Sequence, residues 1–166
     1  MKTTPKKALQ RTLPLRDARY VAPAMTVETA RGILGMDEDE VAEAVELGEL
    51  VAWDIASDGS ERRELRLFTP SVSALARARA EQRDVFPPDC REAVAALLPE
   101  KPWITGRELA RALCCSGTHI CSLVECGDLA LMPGTKITRG KEGTPRITKE
   151  SLTAFLRGRL EGGYVE

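Results

Sequence analysis

A chain of 166 residues, 43% hydrophobic but only 4% aromatic, is long enough for one domain or two small ones on an aliphatic core. No run approaches the roughly 20 apolar residues of a membrane span, the basic N-terminus lacks the apolar stretch of a secretory signal, and five cysteines with an adjacent pair at Cys114–Cys115 form no disulfide framework, so a cytoplasmic setting is expected. The net charge of −1 is unevenly spread: +5 over residues 1–24, −7 over 25–82 and +1 over 83–166, which predicts different partners for the three stretches.

In chain order, residues 1–24 lack periodicity and read as a mobile basic arm, with Lys6, Lys7 and Arg11 as candidate phosphate contacts. Residues 25–82 form an acidic unit. TVETARGILGMDEDEVAEAVELGEL (26–50) predicts two helices across a tight turn, with Gly48 where a helix end needs positive φ. A strand, a hairpin turn at Asp58–Gly59 and a second strand follow, and Thr69–Pro70 opens a third helix. Residues 83–103 are a connector with one helix, capped by Asp89, with Glu92 at its third position and Pro99 as its stop. In 104–160, Thr105 and Glu108 make a capping box for a helix through Leu113. A second helix runs from Ser116 to Cys126 with Ile120, Leu123 and Val124 at helical spacing, Gly127 closes it, and Thr148 caps a helix over 149–160. Residues 161–166 are read as a tail.

Two of these stretches are copies of one pattern. At an offset of 79, residues 26–50 lie over 105–129, pairing Thr26/Thr105, Leu34/Leu113, Val41/Ile120, Val45/Val124, Gly48/Gly127 and Leu50/Leu129. At an offset of 80, residues 66–79 lie over 146–159, pairing Arg66/Arg146, Leu75/Phe155, Arg77/Arg157 and Arg79/Arg159.

TGRELARALCCSGTHICSLVECGDL, the basic stretch after it and RITKESLTAFL resemble the MerR-type and excisionase-type DNA-binding domain, over 104–159 and, with fewer matches, over 26–79. The resemblance implies winged helix-turn-helix units whose second helix enters the major groove and whose wing meets backbone or minor groove. Carried onto this chain, the groove-facing positions are Gly117, Thr118, His119, Cys121, Ser122 and Glu125. The family usually places Arg or Lys among them, and here there is none. Cations gather instead in the wing, at Lys136, Arg139, Lys141 and Arg146, and on the first helix, at Arg107 and Arg111. Phosphate contacts supply most non-specific affinity, so the wing is expected to give affinity while Thr118, His119 and Ser122 read base edges.

Residues 37–50 hold seven carboxylates and no cation. Asp37, Glu38, Asp39 and Glu40 stand at a helix start, where each gains about 0.3–1 kcal/mol from the backbone dipole. In a DNA groove the same charges are repelled, by about 1 kcal/mol per phosphate at 4 Å even in water. The acidic copy is therefore expected to serve dimerisation or a protein partner, to dock the basic arm, or to imitate DNA. Arg62, Arg63 and Arg66 in its wing remain candidate phosphate contacts.

Cys114, Cys115, Cys121, Cys126 and His119 lie close in sequence, but the cysteines replace Gly35, Met36, Ala42 and Leu47 of the first copy, so the pattern needs no metal. Phosphate-binding, nucleophile-elbow and zinc-protease motifs are absent from the sequence. The expectation is a mainly α fold with small β-hairpins, two winged helix-turn-helix units joined by a helical connector. Its expected role is a non-enzymatic, cofactor-free regulator of bacterial, phage or plasmid type that binds double-stranded DNA. The competing readings are an interaction protein that binds no DNA, as an acidic inhibitor or DNA mimic, and a phage DNA-packaging recognition subunit.

Overall fold

The computed structural model describes residues 21–81, 89–137 and 145–162. The first half runs β1 (Ala24–Thr26), α1 (Val27–Leu34), α2 (Glu38–Glu46), β2 (Val51–Asp54), β3 (Leu65–Phe68) and α3 (Thr69–Glu81). After α4 (Cys90–Leu97), the second half runs β4 (Trp103–Thr105), α5 (Gly106–Ala112), α6 (Gly117–Glu125), β5 (Arg146–Thr148), α7 (Lys149–Gly158) and β6 (Leu160–Gly162). This is a mixed α/β architecture of helices and small antiparallel sheets, rather than mainly α. The short entering strands β1 and β4 account for part of the difference, since three residues carry no readable alternation.

Side-chain caps set the helix starts. Asp37 accepts from Glu40 N at 2.9 Å while Glu40 returns to Asp37 N at 2.8 Å. Thr105 and Glu108 repeat this box at the head of α5. Thr26, Ser116 and Thr148 each accept from the backbone N–H three residues on. Each cap contributes about 1 kcal/mol.

The two halves repeat their hydrogen bonds as well as their elements. Gly48 N donates to Val45 O and Leu50 N to Ala44 O; Gly127 N donates to Val124 O and Leu129 N to Leu123 O. Thr69 N donates to Pro23 O, and Lys149 N to Pro102 O. Ser71 and Ser151 each accept from a backbone N–H after the second helix of their half, of Val51 in β2 at 3.3 Å and of Ala130 at 3.0 Å, and each also donates to the carbonyl three residues back. Strand registers agree too: Ala24↔Phe68 and Thr26↔Arg66 answer Trp103↔Thr148 and Thr105↔Arg146. Opposite β5, the counterpart of β2 is reduced to a single bridge, Leu131↔Ile147.

One core cluster passes through both halves and the connector, joining Trp53, Ile55 and Phe68 to Leu97, Leu109, Leu152 and Phe155. A second lies within the first half around Val41, Leu50, Leu67, Val72 and Leu75. Each fully buried Leu or Ile side chain contributes about 1.5–3 kcal/mol. The chain end ties the halves further. Helix α7 stops at Gly158, and Leu160–Gly162, expected to be helix end and tail, forms a strand paired with β2, giving the sheet order β1-β3-β2-β6. Among the described residues no helix is long and apolar enough to cross a membrane.

Candidate nucleic-acid interface

Helix α6 has three faces. Ile120 and Leu123 point into the core. Gly117, Thr118, Cys121, Ser122 and Glu125 face outward across a groove of about 740 Å³, whose other wall is Gly106, Arg107 and Ala110 of α5 with Pro145 at its end. The third face carries His119, which is turned away from the groove toward the first half. Its Nε2 lies 2.6 Å from the Ile55 carbonyl oxygen, an acceptor, so this nitrogen donates; Nδ1 stands 3.4 Å from a Glu64 carboxylate oxygen.

The groove thus gathers Gly117, Thr118, Cys121, Ser122 and Glu125 of the expected groove-facing positions together with the first-helix cation Arg107, and leaves His119 out. Arg107 supplies a planar five-donor fork and Thr118 and Ser122 supply hydroxyls, the groups that pair with base edges and phosphate. Ser122 donates to Thr118 O at 3.2 Å, which leaves its oxygen lone pairs as acceptors. Gly106 closes the α5 wall against the β5 lead-in, where an added Cβ would stand 3.1 Å from the Pro145 ring.

Among the described residues, the other expected cations of the second half lie outside the groove lining. Lys136 is exposed just past the Pro133–Gly134 turn, where Thr135 N donates to Met132 O. Arg146 is exposed and stacks on Trp103, its guanidinium carbon 4.5 Å from the ring centroid, with Lys101 at 5.2 Å from the same ring. Arg111 is exposed on α5 and lines a neighbouring groove with Trp103 and Glu108. Arg139 and Lys141, like Lys6, Lys7 and Arg11, lie outside the described residues.

The first-half arginines have other placements. Arg62 is exposed on the β2–β3 connection. Arg63 is ion-paired with Glu161 of β6 and with Asp54 at 3.6 Å. Arg66, read from the sequence as a phosphate contact, is instead buried: its Nε donates to Leu113 O at 2.9 Å and Cys114 O at 3.3 Å, and Nη2 to Glu64 at 2.7 Å. The physical reason is the end of α5, whose last carbonyls have no intrahelical partner and attract a cation.

At positions equivalent to the groove, the first half carries Glu28, Glu38, Asp39, Glu43 and Glu46, all exposed. Arg31 stands at the position of Ala110, so the first half carries five carboxylates and one arginine where the second carries one of each, Glu125 and Arg107. The cysteines scatter. Cys121 is on the groove, Cys126 is exposed, and the Cys114 thiol donates to Ala24 O at 3.0 Å. Burial raises the Cys115 thiol pKa to about 11.

The contact between halves escaped sequence reading, although one signal was present. Position 40 of the first copy is Glu, which folds back to complete its capping box; the matching residue is His119. A histidine does not complete that box, so its side chain is released to reach another element.

Comparison with protein-family models, curated proteins and solved structures finds no match to this chain.

Proposed function

We propose that the chain is a sequence-specific double-stranded DNA-binding regulator built from two winged helix-turn-helix units, the second of which meets DNA through the α5–α6 groove. It needs no catalytic group or cofactor for this. The observation that carries the reading is the convergence of Arg107 of α5 with Thr118 and Ser122 of α6 on the two walls of one open groove, with Lys136 and Arg146 exposed elsewhere in the second half. In this reading Thr118, Ser122 and Arg107 meet base edges and adjacent phosphate, and the wing cations meet the backbone.

The exposed carboxylates of α2 favour protein contact over DNA contact for the first unit, as a dimerisation or partner surface. They also support the competing reading of an acidic inhibitor that imitates DNA. Salt dependence separates the two. A DNA binder loses affinity with a log–log slope of about −0.9 per phosphate contact. Replacing Lys136 and Arg139 together with Ala is expected to flatten that slope by about two contacts on every sequence. Absence of DNA retention at low salt would overturn the proposal.

A further inference from the structure

The first unit grips the turn between α5 and α6 at two points, and both points share one carboxylate. Arg66 satisfies the carbonyls of Leu113 and Cys114, which lead out of α5. His119, three residues into α6, donates to Ile55 O. Between them stands Glu64: one oxygen accepts from Arg66 Nη2 at 2.7 Å, and the other is 3.4 Å from His119 Nδ1. The side chain that closes α5 and the side chain that orients α6 thus both adjoin a single carboxylate of the β2–β3 connection.

We infer that Glu64, Arg66 and His119 are positioning residues through which the first unit sets the shape of the DNA-reading groove. The inference rests on the groove being the surface that meets DNA. Thr118 lies in the groove wall and is the chain neighbour of His119, so any shift of the His119–Ile55 contact moves the Thr118 hydroxyl. Hydrogen bonds form within a window of a few tenths of an ångström around 2.9 Å, so a displacement near 1 Å removes one. Charge alone predicts the reverse. Removing a carboxylate from a DNA-binding surface raises affinity, whereas removing a positioning residue lowers sequence discrimination.

The test uses the full chain. A duplex selected by the wild type from a random library is compared with a scrambled duplex, and the ratio of the two affinities is the readout. Glu64 is 39% exposed, so Glu64→Ala is expected to fold. Glu64→Ala and His119→Ala are each expected to lower the ratio about tenfold, the cost of one good base contact, with scrambled-duplex binding unchanged or tighter. His119→Gln, whose amide donates to Ile55 O, is expected to recover most of the loss.

Arg159 bridges Asp58 at 2.7 Å and Asp128 at 3.2 Å in the same contact between halves, away from the turn. Arg159→Ala is therefore the matched control and is expected to leave the ratio within about twofold. Unchanged or tighter binding of the selected duplex by Glu64→Ala, alongside weakening by Arg107→Ala, overturns the positioning role and leaves the groove reading standing. A loss confined to the His119 variants marks a direct base contact and also overturns it. If the wild type selects no duplex, the groove reading fails and takes this inference with it.

Discussion

A methyl group on Gly162 would overlap the carbonyl oxygen of Leu50 and stand 2.8 Å from that of Val45. The last strand of the second half is therefore pressed against the end of α2, in a left-handed conformation (φ 69°) suited to glycine. Cys90 Sγ adds a donated bond to Gly162 O at 3.4 Å. Gly162→Ala is expected to destabilise the protein by about 2 kcal/mol or more, combining backbone strain with overpacking. Urea denaturation measures it; a change under 0.5 kcal/mol would mean that β6 is not packed this way.

Ser71 and Ser151 do the same work in different surroundings. Ser71 is fully buried and holds Val51 N–H and Phe68 O, whereas Ser151 is only half-buried. Ser71→Ala strands a buried strand N–H and is expected to cost about 1–3 kcal/mol, and Ser151→Ala less because water reaches its partners. Equal losses would contradict the burial difference.

Cys114 adopts φ 50°, and it is the one positive-φ residue other than glycine among the described residues; its counterpart Gly35 has φ 67°. Left-handed backbone costs an L-residue about 1–2 kcal/mol. Cys114→Gly is thus expected to stabilise the chain by up to about 1 kcal/mol, after the greater entropy of glycine in the unfolded chain is subtracted. Gly127→Ala, at φ 86°, should move stability by about the same amount in the opposite direction. Thermal unfolding of the pair checks the signs, and a stabilising Gly127→Ala would refute the assignment.

Two carboxylates predict the acid limb of stability. Burial raises the pKa of Asp54, but hydrogen bonds from Glu64 N and Ala56 N and the charges of Arg63 and Arg159 outweigh it, so the net pKa is lowered from 3.8. Hydrogen bonds from the Thr105 side chain and backbone lower that of Glu108 from 4.5. A depressed carboxyl stabilises the fold above its unfolded pKa and loses that contribution as pH falls through the folded value. Stability from these groups is therefore expected to be level above about pH 5 and to fall below pH 4, with Asp54→Asn reducing the slope. A slope unchanged by Asp54→Asn would remove it from the acid transition.

Much of the scaffold was legible because its cues are local. Thr105–Glu108, Asp89, Thr148, Gly48 and Gly127 each act within a few residues, and each takes the expected position in the structure. β1, β4 and β6 escaped because three-residue strands are fixed by their partners across the chain, not by their own alternation. For the same reason Arg66 and His119 were read as surface groups. Arg66 answers Arg146 in the repeat, yet it is buried where α5 ends beside it, while Arg146 lies exposed on Trp103. Sequence spacing placed both on matching strands; only the packing of the two halves separates their roles.

The most direct measurement of the central claim is selection from a random-sequence duplex library by the wild type and by Thr118→Ala/Ser122→Ala in parallel. The wild type is expected to enrich a defined sequence, and the double variant to bind with that preference blurred at one or two positions, by about 1–3 kcal/mol of discrimination each. Absence of enrichment by the wild type, or an identical sequence enriched by both proteins, would contradict the claim.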